Sequence, residues 1–188
     1  MFTRNAVASV VAVLLAAATF AVEAQTKFGF GKPAAAHEIK GWDIDASPDG
    51  AGLPGGSGSV AQGGKLYAEK CAACHGAKGE GKPADRLVGG QGTLKAATPV
   101  KTIGSFWPYA TTVFDYVYRA MPYTAPQSLT ANETYALTAY VLHMNGILGA
   151  DATLDAASLP KIRMPNRDGF VADTRPDTFN VPCRIDCR

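Results

Sequence analysis

The chain has 188 residues, of which 47% are hydrophobic and 18% are charged, which is an ordinary globular composition. This length suits one domain with additional segments, and no sequence repeat is visible. The formal net charge of +2 gives no basis for a nucleic-acid or membrane-surface partner.

Residues 1–24 have the features of a secretory signal peptide. Arg4 supplies a positive charge, and an apolar run rich in Ala, Val and Leu extends over residues 6–22. Ala24 is a small residue at the end of this segment, so we expect cleavage before Gln25. The alternative is an uncleaved anchor, but the run is short for a bilayer span and no stop-transfer pattern follows. The sequence therefore predicts an exported protein that is soluble outside the cytoplasm, with no stable membrane insertion after cleavage of the signal peptide.

The second segment, residues 25–57, is predicted to be an extended arm. It is rich in Gly, Pro and Ala, and its few apolar residues have no helical period. Because it lacks the apolar side chains for a core of its own, we expect the stretch from Phe28 to Ser57 to lie on a partner protein.

A first helix is predicted to begin near Ser59 and to run into Cys71. Ser59 and Gln62 have the spacing of a capping box, in which each side chain bonds the backbone of the other residue. A glycine at Gly63 or Gly64 would allow this helix to cross a later helix closely.

A loop rich in Gly and Lys, residues 76–92, separates the first helix from a second one. The second helix is predicted over about residues 108–120, from apolar side chains at helical spacing. It must end near residue 120, because Met121 precedes Pro122 and a residue before proline avoids the helical conformation.

The third predicted helix has the clearest boundaries. Thr130 and Glu133 form a second capping-box pattern, and Asn145 and Gly146 form a typical helix end. From residue 150 to residue 188 the chain contains four prolines and no periodic pattern, so we expect an irregular tail. The predicted fold is therefore a small all-α domain, residues 58–149, between two irregular arms.

The strongest chemical signal is Cys71-Ala72-Ala73-Cys74-His75, which has the spacing of a c-type haem attachment motif. Residues three and four apart share one face of a helix, so Cys71, Cys74 and His75 can approach one object together. The two thiols can add to the two haem vinyl groups, and His75 can then bind the iron as proximal ligand. The sequence predicts one covalent haem c (heme c).

Two other interpretations of these cysteines have less support in the sequence. A thioredoxin-like redox motif requires a βαβ context, and no such pattern is visible. A zinc site would have to combine Cys71 and Cys74 with Cys183 and Cys187, but that second pair has a different spacing and lies in the Pro-rich tail. In an exported protein Cys183 and Cys187 are most simply a local disulfide, with a redox-active pair as the alternative.

The sixth iron ligand must come from another part of the chain. The candidates are Met121, Met144, Met164, His37 and His143. Met121 is favoured because Pro122 forces a loop at this position between two helices. The alternative is that Met121 packs beside an iron that is open or bound by histidine. A thioether ligand would raise the reduction potential and leave no free position for oxygen chemistry.

The chain resembles the class I cytochromes c between residues 57 and 146. The resemblance is carried by Gly63 to Tyr67 leading into Cys71 to Gly76, by Met121-Pro122, and by Thr138 to Leu142. It implies the small all-α fold of that family, thioether bonds from Cys71 and Cys74, and His75 and Met121 as the axial iron ligands.

A narrower resemblance extends over most of the chain after residue 24. Several segments are similar to parts of the cytochrome subunits of bacterial sulfite and sulfane dehydrogenases of the Sox type. These segments are Gly41 to Asp45, Pro48 to Gly50, Ser105 to Ala110, Phe114 to Tyr116 and Arg119 to Pro122. This resemblance implies that single electrons pass from a molybdenum-cofactor dehydrogenase subunit, through this chain, to downstream cytochromes.

Three functions follow as hypotheses. The first is a periplasmic monohaem cytochrome that serves a sulfite or sulfur-compound dehydrogenase, and a generic soluble electron carrier is its simpler form. The second is a haem enzyme that acts directly on a sulfur substrate such as thiosulfate. The third is a metal- or disulfide-stabilised binding module without haem.

Overall fold

The computed structural model describes residues 31–175 of the chain. The helices in this range are α1 (Ala36–Trp42), α2 (Val60–Lys70), α3 (Ala72–His75), α4 (Ala110–Ala120) and α5 (Ala131–Met144). Two short strands, β1 (Ser57–Ser59) and β2 (Thr153–Asp155), and a 3-10 helix (Leu159–Lys161) accompany them. The predicted signal peptide and the pair Cys183 and Cys187 lie outside the described residues.

The chain divides after Gly41 into two units, and helix α1 occupies most of the described part of the first. This helix differs from the expectation of a wholly extended arm. Its start is stabilised by Glu38, whose carboxylate accepts a 2.7 Å hydrogen bond from the backbone N–H of Ala35. Within residues 31–175, no helix has both the length and the apolar character needed to cross a membrane.

Helices α2 and α5 begin at the two predicted capping boxes. The hydroxyl of Ser59 accepts from the backbone N–H of Gln62, and the Gln62 side chain accepts from the backbone of Ser59. Thr130 and Glu133 make the same reciprocal pair at the start of α5. Both boxes satisfy N–H groups that have no partner inside the helix. The two predicted helix starts are confirmed.

Helix α4 ends where the proline rule places it and starts two residues later than expected. Met121 is extended, with φ −117° and ψ 148°, so the helix stops at Ala120. Tyr109 is also extended and forms an isolated antiparallel bridge with Arg163. This pairing with the distant tail keeps residue 109 out of the helix.

Helices α2 and α5 cross closely at a glycine, as predicted. A Cβ atom added to Gly63 would overlap the backbone of Ala136. At Gly64 an added Cβ would lie 3.1 Å from the ring of Tyr140, a tight contact that a small shift of this side chain can relieve. Gly63 is therefore the residue that permits the crossing, because a side chain there would push the two backbones apart.

The short strands join the two ends of the domain. Strand β1 pairs with β2 in antiparallel register, with Ser57 opposite Asp155 and Ser59 opposite Thr153. The backbone N–H of Val60 donates to the carbonyl of Ala152 at 3.0 Å and continues this pairing into α2. The segment after α5 is thereby held against the segment before α2.

The hydrophobic core includes residues on both sides of the range 58–149 predicted for the helical domain. Ala46 lies before that range, and Leu154, Leu159 and Met164 lie after it; all four are buried in the core cluster. The remaining core side chains come mainly from the helices, as with Phe114 and Tyr135, whose ring centroids are 4.5 Å apart. The arm after residue 42 and the tail up to residue 164 thus pack on the helices.

Candidate functional site

The cysteine–histidine motif lies where one helix stops and a short one begins. Helix α2 ends at Lys70, and Cys71, with φ −124° and ψ −37°, separates it from α3. The backbone N–H groups of Cys74 and His75 both donate to the carbonyl of Cys71, at 3.1 and 3.0 Å. The structure therefore brings the three predicted attachment residues into a single tight turn, with both thiols free.

The imidazole of His75 has a defined orientation and tautomer. Its Nδ1 lies 2.8 Å from the backbone carbonyl oxygen of Asp85. A carbonyl only accepts hydrogen bonds, so Nδ1 carries a proton, and in the neutral imidazole the lone pair is on Nε2. A neutral imidazole with Nε2 available is the form that binds a metal, and a carbonyl on Nδ1–H fixes the ring orientation of such a ligand.

The loop after the motif folds back onto it through backbone hydrogen bonds. Gly81 N–H donates to the carbonyl of His75 at 2.8 Å, and Ala84 N–H donates to the carbonyl of Cys74 at 2.9 Å. The hydroxyl of Tyr67, a residue only 1% exposed, donates to the carbonyl of Gly76 at 2.9 Å. These bonds place the Asp85 carbonyl beside His75.

Burial raises the pKa of Tyr67 to about 12, with smaller contributions from nearby acidic groups. The Tyr67 hydroxyl therefore stays protonated and remains a donor to Gly76 over the whole neutral range. The sequence does not indicate this hydrogen bond, because its acceptor is a backbone carbonyl.

The thiol of Cys71 does not have the properties of an activated redox cysteine. Burial raises its pKa to about 11, and the positive charge of Lys70 opposes that effect only in part. Reactive cysteines of the thioredoxin type have a lowered pKa. The thioredoxin interpretation is thus disfavoured by electrostatics as well as by the helical surroundings.

The zinc interpretation also has little support in residues 31–175. No three His, Cys, Asp or Glu side chains in that range are grouped so that they could hold a metal ion. The second cysteine pair, on which this interpretation depends, is not among the described residues.

The five candidates for the sixth ligand have different surroundings. Met164 is 1% exposed and belongs to the core, where it packs against other apolar side chains. His143 uses Nδ1 in a contact of 3.0 Å with the carbonyl of Leu148. Met144 is half-buried at the end of α5, and His37 lies on α1 in the other unit.

Met121 is half-buried at the C-terminal end of α4, in the loop that Pro122 requires. A side chain that will face a large cofactor keeps accessible surface until the cofactor covers it. The partial exposure of Met121, like that of Met144, agrees with such a position, whereas the full burial of Met164 indicates packing.

The donor set fits a covalently attached haem. Two free thiols and one imidazole with an available Nε2 lie within one turn, next to a helical core with half-buried apolar side chains at its surface. Thioether attachment requires two cysteines at this spacing, and axial binding requires a neutral imidazole. Both requirements are met by residues that the structure describes.

A small helical fold with this motif between its first and second long helices defines a class I cytochrome c. The family model for cytochrome c matches residues 60–145. The crystal structure of the sulfane dehydrogenase SoxCD from Paracoccus pantotrophus contains a chain that is similar at 44% sequence identity with a TM-score of 0.74. The similarity covers 86% of this chain and 83% of that chain. A comparison with curated proteins finds no match.

The chain belongs to the cytochrome c family, and it is an electron-transfer cytochrome that resembles the cytochrome subunits of Sox-type dehydrogenases. Its cofactor is the covalently bound haem c of that family. The predicted all-α fold class is confirmed. The hypothesis of a binding module without haem is excluded by the family assignment.

Proposed function

We propose that this chain is a periplasmic cytochrome with one haem c, attached through Cys71 and Cys74 and bound at the iron by His75 and Met121. The observation that carries the proposal is the hydrogen bond between His75 Nδ1 and the Asp85 carbonyl. It leaves Nε2 as a metal ligand in the same turn as two free thiols.

The protein residues have distinct tasks in this proposal. Haem supplies an iron that gains or loses one electron without breaking a bond. Asp85 fixes the plane and tautomer of His75, while Tyr67 and Ala84 hold the turn and loop around the ligand. A thioether from Met121 would favour the reduced state and would leave no free position on the iron for substrate. Electron transfer rather than substrate chemistry follows from that ligand set.

The proposed electron donor is the molybdenum-cofactor subunit of a sulfite or sulfur-compound dehydrogenase, and the proposed acceptors are downstream cytochromes. The similarity to a chain of the sulfane dehydrogenase SoxCD, over 86% of this chain, supports a partner of that kind. The predicted signal peptide, with cleavage before Gln25, supports transport to the periplasm.

The attachment is tested by changing cysteines in a host that carries out cytochrome maturation. Cys71→Ala and Cys74→Ala together should give a protein without covalent haem, because both thioether bonds are lost. Cys183→Ser together with Cys187→Ser is the matched control and should keep the haem. The readouts are the pyridine haemochrome and the intact mass after denaturation. Covalent haem in the Cys71/Cys74 double variant would contradict the proposal. Loss of haem from the Cys183/Cys187 double variant would contradict it too.

The axial ligand is tested with Met121→Leu and Met164→Leu, which replace a thioether by an apolar side chain of similar size. The red charge-transfer band of methionine-bound ferric haem should disappear only in Met121→Leu. Loss of that band in Met164→Leu instead would assign the ligand to the tail.

The partner is tested by reduction kinetics. The purified ferric protein should be reduced rapidly when a sulfite or sulfane dehydrogenase catalytic subunit and its substrate are both present, and hardly at all by substrate alone. Steady turnover of thiosulfate or sulfite by the isolated chain would instead establish the haem-enzyme hypothesis.

A further inference from the structure

We propose that Asn145 is a positioning residue for the His75 imidazole. Its side chain holds the backbone of the loop that presents the Asp85 carbonyl to His75 Nδ1. The inference rests on the proposed function, in which His75 is the proximal iron ligand.

Asn145 is a buried amide whose polar atoms are all engaged. It follows the last residue of α5 and is 8% exposed. Its Nδ2 donates to the carbonyls of Leu87 and Val141, at 3.1 and 2.9 Å, and its Oδ1 accepts from the backbone N–H of Gly89 at 3.2 Å. One side chain thus joins the rigid end of α5 to both sides of the loop at residues 87–89.

The end of α5 is itself well fixed, so it can serve as an anchor. Ile147 N–H donates to the carbonyl of Leu142 at 3.0 Å, and Gly146 N–H donates to the carbonyl of His143 at 2.8 Å. Gly146 has φ +71°, so this is a Schellman helix end. The Asn145 side chain therefore projects from a defined backbone.

The path from Asn145 to His75 is short. Leu87 is held on both sides, since its N–H donates to the carbonyl of Gly79 at 2.9 Å and its carbonyl accepts from Asn145. The N–H of Ala84 donates to the carbonyl of Cys74 at 2.9 Å. The Asp85 carbonyl lies between these two fixed points, only two residues before Leu87. Residues 84–92 contain no proline to restrict the backbone, so the hydrogen bonds must set its conformation.

The consequence is electronic as well as structural. A carbonyl that accepts from Nδ1–H makes the imidazole a stronger donor to a metal, and loss of such an outer partner weakens the ligand. An imidazole that donates more electron density to the iron stabilises ferric iron more than ferrous iron. Releasing Leu87 from Asn145 should therefore loosen the His75–Asp85 bond and make the reduction potential more positive.

The test compares holoprotein variants that lose different bonds of one loop. Asn145→Ser and Asn145→Ala are both uncharged and remove the donor to Leu87. Thr102→Val is the control, because Thr102 is 2% exposed and its hydroxyl donates to the carbonyl of Gly89, on the side of the loop away from Asp85. All three should lower the unfolding midpoint. Only the Asn145 variants should raise the reduction potential and speed the hydrogen exchange of the His75 Nδ1 proton, measured by NMR.

The inference is overturned if the Asn145 variant that folds keeps the wild-type reduction potential and Nδ1 exchange rate while its unfolding midpoint falls as in Thr102→Val. Asn145 would then be a structural residue only. The same shift in Thr102→Val would overturn it too. His75→Ala separates this result from failure of the proposed function. A spectrum and potential unchanged by that substitution would show that His75 is not the ligand at all.

Discussion

The carboxylate of Asp115 joins the arm to the helices. Its Oδ1 accepts from the backbone N–H of Ala46 at 2.8 Å, and both of its oxygens bond the guanidinium of Arg119, one turn further along α4. Asp115 is 9% exposed, whereas the Arg119 side chain is 47% exposed. The ion pair raises the pKa of Arg119, which is charged in any case. The main structural contribution of Asp115 is therefore the bond to Ala46.

We expect Asp115→Ala to lower the free energy of unfolding by about 2–3 kcal/mol, because it leaves a buried backbone N–H without an acceptor. Asp115→Asn should cost only about 1 kcal/mol, since its amide oxygen can still accept from Ala46. Arg119→Ala should lower the free energy of unfolding by less than about 1 kcal/mol, because the Arg119 side chain is largely accessible to solvent. Urea unfolding of the three variants measures the order. Equal losses for Asp115→Ala and Arg119→Ala would show that the ion pair, and not Ala46, carries the effect.

The crossing of α2 and α5 is the main contact between elements, and it depends on backbone approach. Helix α5 is surrounded by other parts of the chain, because its six consecutive residues 134–139 are all buried. Gly63 allows α2 to meet it at Ala136, while Tyr67 and Tyr140 pack their rings with centroids 5.4 Å apart. The motif at residues 71–75 follows directly from α2, so its position depends on this crossing.

Gly63→Ala and Gly64→Ala provide a matched pair for that contact. Both replace a helical glycine, and each should gain up to about 1 kcal/mol of helix propensity. Gly63→Ala should nevertheless destabilise the protein by about 1–3 kcal/mol, because the new methyl group overlaps the Ala136 backbone, which cannot move without shifting α5. Gly64→Ala meets only a ring edge and should be close to neutral. Thermal unfolding of both holoproteins measures the difference. Similar melting temperatures for the two variants would contradict the role of Gly63 in the crossing.

At the scale of the whole molecule, the helical domain needs the segments on both sides of it. Arm residues bond the helices through Tyr135 Oη, which donates to the carbonyl of Pro54 at 2.8 Å, and through Asn132, whose side chain accepts from the Ser57 N–H at 2.8 Å. The tail contributes Leu159 and Met164 to the core. The arm after residue 42 therefore has a structural role in addition to any contact with a partner.

Leu159→Ala tests the role of the tail. Leu159 is fully buried, so we expect the free energy of unfolding to fall by about 2–5 kcal/mol from lost burial and a new cavity. Val171→Ala, in the same tail but 90% exposed, is the control and should change it by less than about 0.5 kcal/mol. Denaturant unfolding measures both. A loss of under about 1 kcal/mol for Leu159→Ala would mean that the tail is not part of the cooperative unit.

Acid should destabilise the whole molecule through its hydrogen-bonded carboxylates. Backbone and hydroxyl donors at Thr130 hold the pKa of Glu133 below its ordinary value, and Ser158 does the same for Asp155. A carboxyl with a lowered folded pKa adds stability above its unfolded pKa of about 4, and this contribution is lost as the pH falls through the lowered values.

The melting temperature should therefore stay level from neutral pH down to about pH 5 and fall below about pH 4. Glu133→Gln keeps the capping geometry without the titrating group, so its curve should fall less steeply than that of the wild type. A curve for Glu133→Gln parallel to the wild type would show that Glu133 does not take part.

Features that depend on neighbours within a few residues could be predicted from the sequence alone. Both capping boxes join residues three apart, the end of α4 follows from Met121 and Pro122, and the haem motif spans five positions. Such interactions are set by local backbone geometry, which a pattern of residue types specifies directly.

Contacts between residues far apart in the chain could not be predicted and are known only from the folded structure. The Asp85 carbonyl beside His75 is ten residues away, Leu87 and Asn145 are 58 apart, and Ala46 and Asp115 are 69 apart. Backbone carbonyls and N–H groups are the same in every residue except proline, so the sequence does not mark which of them a buried side chain will bind. Only the packing of the loop, the arm and the tail on the helices selects these partners.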